Sequence, residues 1–265
     1  KGGRYMSELL LVERQDYICT LTMNRPEKLN SVNPELMALI QKTLNSIRDD
    51  PDVRVVILRG MGEKAFSSGF DIGRIGKNAL PGEGSEHDFY NAAESILDFP
   101  VPVIAMIHGI CMGGGLEVAL SCDMRIAAED ARLCIPPAKL GLVYRPEGIM
   151  KFINAVGAAH TREMFFTARV YDASRSYQMG LLDYVLPKAE LESFTYTLAG
   201  EITQNAPLSV RGIKKVISIS LSHQTLGKEA RDVTKAIMRH AAQSEDIKEG
   251  TRAFLEKRKP QFQGR

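Results

Sequence analysis

The sequence predicts an α/β fold: a layered core of alternating strands and helices, followed by a C-terminal third that is almost entirely helical. Three observations carry this. Apolar runs of strand length, such as Val53 to Leu58 and Val101 to Ile107, alternate with longer segments of helical period, and a sheet built that way buries its faces under helices. Small-residue loops follow both runs, at Lys64 to Ile72 and at Gly109 to Gly115. From Glu190 onward the pattern is nearly all helical.

Taken in order, Leu9 to Val12 and Ile18 to Met23 read as a hairpin turning around Gln15-Asp16. Asn33-Pro34 has N-cap and first-turn chemistry for a helix running to about Arg48, where Asp49-Asp50-Pro51 stops it. Val53 to Leu58 is a buried strand with a turn at Gly60 and Gly62. Gly73 to Glu86, rich in Gly, Pro and charge, reads as a mobile loop, either a lid or a disordered insertion. Strand 103 to 107, helix 113 to 121 and strand 123 to 127 complete the alternation. Helices are expected over 191 to 202, 207 to 219, 226 to 242 and 246 to 254, ahead of the basic tail Glu256-Lys257-Arg258-Lys259-Pro260. Leu208, Ile213, Val216 and Ile217 recur at helical spacing and need a partner surface, the core or another subunit. This divides the chain into a core, 6 to 189, and a helical region, 190 to 265.

Composition excludes several classes. With 265 residues, 44% of them hydrophobic, the chain suits one large domain or a domain with an appendage. Thirty-four basic against 32 acidic residues leave +2, which gives no global attraction to nucleic acid or an anionic membrane. No apolar stretch approaches the roughly 20 residues of a membrane span. Cys19, Cys111, Cys122 and Cys134 show no metal-finger or CxxC spacing and read as reduced thiols of a cytoplasmic protein, with no metal site expected. Lys1 to Tyr5 precede Met6 and resemble an expression-vector remnant, so they are set aside from the fold.

The segment Met112-Gly113-Gly114-Gly115-Leu116-Glu117 carries the chemistry. Glycine lets a ligand approach the backbone, and the first-turn amides and dipole of a helix favour negative charge, including an oxyanion that develops only during reaction. If the earlier loop around Ser67-Ser68-Gly69-Phe70 faces it, one N–H from each could hold the same oxygen.

The segments Asn24-Arg25-Pro26-Glu27-Lys28-Leu29-Asn30, Ala65 to Ile72, His108-Gly109-x-x-x-Gly113-Gly114-Gly115-x-Glu117, Cys122-Asp123 and Phe254 to Pro260 occur in the order seen in the crotonase superfamily, the enoyl-CoA hydratases and their relatives. The resemblance covers nearly the whole chain. It implies a crotonase-like spiral of ββα repeats with a C-terminal helical trimerisation region, an acyl-CoA substrate, and a homotrimer or dimer of trimers. Coenzyme A enters as part of the substrate, and no separate cofactor is expected. The resemblance further implies an oxyanion hole made by the N–H groups of Phe70 and Gly114. Ser68, Gly69, Phe70, Asp71 and Ile72, with Gly114 and Pro136, would line the thioester and pantetheine side. Lys28 would lie near the nucleotide end, and Phe254 and Lys257 would reach the coenzyme A of a neighbouring subunit.

Enoyl-CoA hydratases resemble this chain at Glu117 but carry a second glutamate where it has Pro137, and many isomerases use that same position as their single base. Proline transfers no protons, whereas water addition uses two carboxylates. Bacterial methylmalonyl-CoA decarboxylases look similar through Pro137, Leu140-Gly141-x-x-Tyr144, Gly148-Ile149 and the Phe254 to Pro260 ending, although they have histidine in place of Phe70. Their reaction needs no base, and the Tyr144 phenol could orient the leaving carboxylate. The expectation is therefore decarboxylation of a malonyl-type thioester ahead of hydration or isomerisation.

Each polar residue also has a plainer reading. Glu117 is a general acid/base or the partner of a nearby arginine; Tyr144 is functional or a core tyrosine; Arg145 pairs with an acidic acyl group or is exposed. His108 reads as a packed, hydrogen-bonded histidine. Ser67 and Ser68 lack a G-x-S-x-G elbow. Two other classes compete: a nicotinamide dehydrogenase, against which the glycines do not form G-x-G-x-x-G, and a non-catalytic coenzyme A-binding or RNA-binding scaffold of the same fold.

Overall fold

Leu10–Gln15 (β2) and Ile18–Met23 (β3) pair antiparallel across a tight turn in which Asp16 and Tyr17 take positive φ. Beside β3 lie, all parallel, Val55–Gly60 (β4), Val103–Ile107 (β6), Met124–Ala128 (β8) and Tyr184–Leu186 (β11). Tyr5–Met6 (β1) closes the other edge of this seven-stranded sheet, so Tyr5 belongs to the fold, contrary to its exclusion on sequence grounds. The computed structural model describes residues 5–6, 8–71, 85–140, 144, 146–222 and, beyond these, 229, 232–233, 236, 240, 243–246, 249, 253, 256, 258 and 261–265.

Helix α1, Pro34–Ile47, starts as its sequence dictates. The Asn33 side chain accepts from the Leu36 N–H, and Pro34 gives up no intrahelical donor at the first position. The remaining helices are Ser85–Leu97 (α2), Gly114–Ser121 (α3), Pro146–Thr167 (α4, broken at Gly157), Ala173–Gln178 (α5), Leu191–Thr203 (α6) and Pro207–Ser222 (α7). After β4, β6 and β8 the chain adds a short strand to a second sheet before entering a helix: Ala65–Ser67 (β5), Ile110–Met112 (β7) and Arg132–Cys134 (β9), with Tyr171–Asp172 (β10) at the end. Each strand–strand–helix passage is one turn of a spiral.

Alternation along the central strands splits their side chains between two cores. Val56 and Leu58 of β4, with Val103, Ala105 and Ile107 of β6, join the larger core beneath α1, α2 and α3. Val55 and Ile57, with Ile104 and Met106, face the other way and are covered by Leu191, Phe194, Leu198 and Ala199 of α6. The chain on both sides of residue 190 therefore shares one packed sheet.

Several expectations shift. The strand expected over 53 to 58 runs two residues later, because Val53 closes a turn onto Asp50. The second sheet, α4 and α5 were not anticipated. Gly73 to Glu86 lies outside the described residues apart from 85 and 86, where α2 begins. The segments 226 to 242 and 246 to 260 lie largely outside them.

Helix α3 packs directly on β5, and a Cβ at Gly115 would stand 2.6 Å from the Ser67 Cβ. Gly200, inside α6, has no heavy atom within 4 Å of its Cβ position. Gly115→Ala should therefore destabilise by about 1–3 kcal/mol, while Gly200→Ala should stabilise by about 0.5–1 kcal/mol, read as opposite shifts of the urea midpoint.

Candidate active site

The early Asn-Arg-Pro segment is a scaffold for the first loop. Leu29 and Asn30 turn the chain with φ of 51° and 52°, and the buried Asn30 side chain accepts from the Arg25 N–H and donates to the carbonyls of Met61 and Ala65. Arg25 donates to the Ser31 carbonyl at 2.6 Å and pairs with Asp71 at 3.1 Å. Against this frame, Val32 donates to the Gly69 carbonyl and accepts from the Asp71 N–H. In such a bridge the residue between, Phe70, directs its own N–H away from Val32.

The second loop arrives alongside. Gly113, at φ 53° and ψ −126°, precedes α3 without a side-chain cap, and Gly114 is the first helical residue, whose N–H has no intrahelical acceptor. At Gly69, φ +96°, a Cβ would lie 2.8 Å from the Met112 carbonyl oxygen and 3.4 Å from the Gly114 nitrogen. The two loops expected to face each other do so in van der Waals contact, and only glycine satisfies both the φ and the space. Two backbone donors so arranged are chemically able to hold one oxygen on which charge develops.

One turn into α3, Glu117 is only 1% exposed. The Tyr144 hydroxyl donates to its Oε2 at 2.5 Å, and Lys151 Nζ lies 3.5 Å from its Oε1. Burial raises the Glu117 pKa, opposed by the Lys151 charge and by the Tyr144 hydrogen bond. The partner of Glu117 is thus a lysine, not the arginine considered from sequence. Tyr144, half-buried, stacks edge-on against Phe165, which stacks in turn on Phe152. A Cβ at Gly148 would come within 2.6 Å of the Tyr144 ring and 3.2 Å of Glu117 Oε1, so this position must lack a side chain. Pro137 is buried, and Pro136 Cδ lies 4.0 Å from where a Cβ on Gly113 would be.

The other candidates are placed as follows. Lys28 is exposed; its carbonyl accepts from the Ser68 hydroxyl, while the Ser68 N–H donates to Leu29. Ser67 is buried with its hydroxyl accepting from the Gly69 N–H, a turn contact. His108 is packed as expected, and burial lowers its pKa, but its Nε2 makes no hydrogen bond among the described residues. Ile72, Arg145, Phe254 and Lys257 lie outside the described residues. All four cysteines are buried and unpaired. Among the described residues no group of side chains is placed to hold a metal ion, and no helix is long and apolar enough to cross a membrane. Sequence reasoning missed Lys151 and its second neighbour Glu94. The available signal was a single lysine inside the apolar run Ile149-Met150-Lys151-Phe152-Ile153.

The sequence profile of the enoyl-CoA hydratase/isomerase family matches residues 13–265. The chain belongs to the enoyl-CoA hydratase/isomerase family. A carnitinyl-CoA dehydratase from Salmonella typhi is 33% identical over 267 aligned positions, covering 98% of this chain and all of the relative. Among solved structures, an enoyl-CoA hydratase/carnithine racemase from Magnetospirillum magneticum superposes with a TM-score of 0.92 at 30% identity, over 99% of this chain and 97% of that one. An enoyl-CoA hydratase from Bacillus anthracis gives 0.89 at 32%, over 97% and 100%. The crotonase fold expected from the sequence is thereby shown. The likeness to decarboxylases finds no counterpart in these names.

The Glu117 environment has a consequence for stability. A carboxyl pKa raised in the folded state means that the native chain binds more protons than the unfolded one, so the contribution is complete below about pH 4.5 and is lost as pH rises through the elevated value. Relative to Glu117→Gln, the native protein should lose stability across that window, read as a pH-dependent gap between their urea midpoints.

Proposed function

We propose that this chain is an acyl-CoA lyase that stabilises a thioester enolate between the N–H groups of Phe70 and Gly114 and releases carbon dioxide from a malonyl-type thioester. The observation that carries this reading is Glu117, the one buried carboxyl group of the site among the described residues, hydrogen bonded to Tyr144, with Pro137 where the hydratases have a second glutamate. Hydration needs a base for water and an acid for the α carbon. Decarboxylation needs only an acid. The bond to the substrate carboxylate breaks, its electron pair moves into the thioester carbonyl, carbon dioxide leaves, and the enolate α carbon takes a proton from Glu117, which burial favours in its protonated form. On binding, the Tyr144 hydroxyl exchanges its Glu117 oxygen for a substrate carboxylate oxygen and orients the leaving group. Losing one backbone donor of such a hole costs on the order of 10²–10³ in rate.

Coenzyme A runs along residues 68 to 72 and Pro136, with Lys28 at the nucleotide end and Phe254 and Lys257 supplied by a neighbouring subunit. The exposed stripe Ile213, Ile217 and Leu221 on α7, at 60%, 54% and 59% exposure, supports a homotrimer or a dimer of trimers in which those side chains are covered.

A second reading, hydration of an enoyl thioester with Glu117 acting alone, is favoured by the dehydratase name of the Salmonella relative. Mass spectrometry after incubation with methylmalonyl-CoA, malonyl-CoA and crotonyl-CoA separates the two. Loss of carbon dioxide from a malonyl thioester is expected; gain of water on crotonyl-CoA alone would install the hydratase reading. Tyr144→Phe should slow decarboxylation about tenfold or more while leaving coenzyme A affinity nearly unchanged, and unchanged turnover would remove Tyr144 from the mechanism.

A further inference from the structure

The Glu117 carboxyl group faces two ways. Its Oε2 accepts from Tyr144, whereas Oε1 looks toward Lys151 Nζ at 3.5 Å, and the same Nζ lies 3.6 Å from Glu94 Oε1 on α2. Side-chain exposure falls along this file from 48% at Glu94 to 6% at Lys151 and 1% at Glu117. Lys151, Tyr144 and Glu94 are the charged and titratable groups acting on Glu117 among the described residues, and Lys151 also faces the buried thiol of Cys122. Resting on the reading of Glu117 as the acid, we propose that Lys151 and Glu94 are positioning residues forming the path by which Glu117 regains its proton from solvent.

The need for a path follows from the geometry. Each turnover moves one proton from Glu117 to the α carbon. In the free protein Glu117 is enclosed, with Tyr144 on one oxygen and the close-packed Gly148 backbone beside the other, and in the complex the bound acyl group takes the place of Tyr144. Lys151 then passes one of its three protons to Oε1 and becomes an amine, and a solvent proton taken up at the half-exposed Glu94 carboxylate restores the ammonium. One proton enters from solvent for each one leaving in product. A lysine suits this where an arginine would not, since the guanidinium keeps its proton.

The first turnover uses the proton already on Glu117; only later turnovers need the path. With protein in excess over methylmalonyl-CoA, Glu94→Gln should complete the first turnover at the native rate while steady-state kcat falls about tenfold or more. Glu94 is half-exposed and Gln is close to its shape, so this variant leaves the fold intact. Equal losses in first and later turnovers, or none in either, would overturn the path. Deuterium uptake at the α carbon of propionyl-CoA, which needs Glu117 to cycle its proton but no decarboxylation, separates this inference from the reading beneath it. Exchange in the native protein, slowed in Glu94→Gln, keeps the path even if no carbon dioxide is released. Absence of both exchange and turnover in the native protein overturns both.

Discussion

The contact between the Gly69 backbone and the amino end of α3 is the constraint on which the site depends. It brings two chain segments more than forty residues apart in sequence to van der Waals distance, and it is held from both sides. On one side the buried Asn30 ties the 25–30 turn to Met61 and Ala65, leaving Val32 in register with Phe70. On the other, β5 and β7 pair in the second sheet, and Gly115 lets α3 settle onto Ser67. The second sheet is small, but its strands set the separation of the two loops, so packing remote from any ligand determines whether two amide protons converge.

The same packing fixes the electrostatics. Sealing a carboxyl group away from water disfavours its charge, and the cost of the charged form is moderated by one phenol and one ammonium. Glu117 is neither free in a pocket nor locked in a bidentate ion pair. A 3.5 Å lysine contact weakens burial's effect without cancelling it, which suits a group that must hold a proton and then release it.

Much of this was legible in the sequence because the signals were local. The Asn33 cap, the hairpin at Asp16 and the glycines opening α3 each act within a few residues, and each element stands where expected to within two or three residues. The second sheet was not legible, since strands of two or three residues are too short to show alternation. Tyr144 was singled out by the resemblance to the decarboxylases, but its bond to Glu117 depends on how the chain enters α4. The Lys151 contact was invisible for the same reason: a lysine in an apolar run announces that it will be buried, and nothing nearby in sequence tells which carboxylate will meet it.

The four cysteines carry a consequence of their own. All are enclosed by the core, and burial pushes the thiols upward, Cys19 to about 11 and Cys122 to about 12. A thiolate is the reactive species of a cysteine, so the folded chain offers thiol-directed reagents almost nothing to attack. Any modification that does occur marks an excursion in which the core has opened. The protein thus carries internal clocks of its own breathing, silent while the fold stays shut.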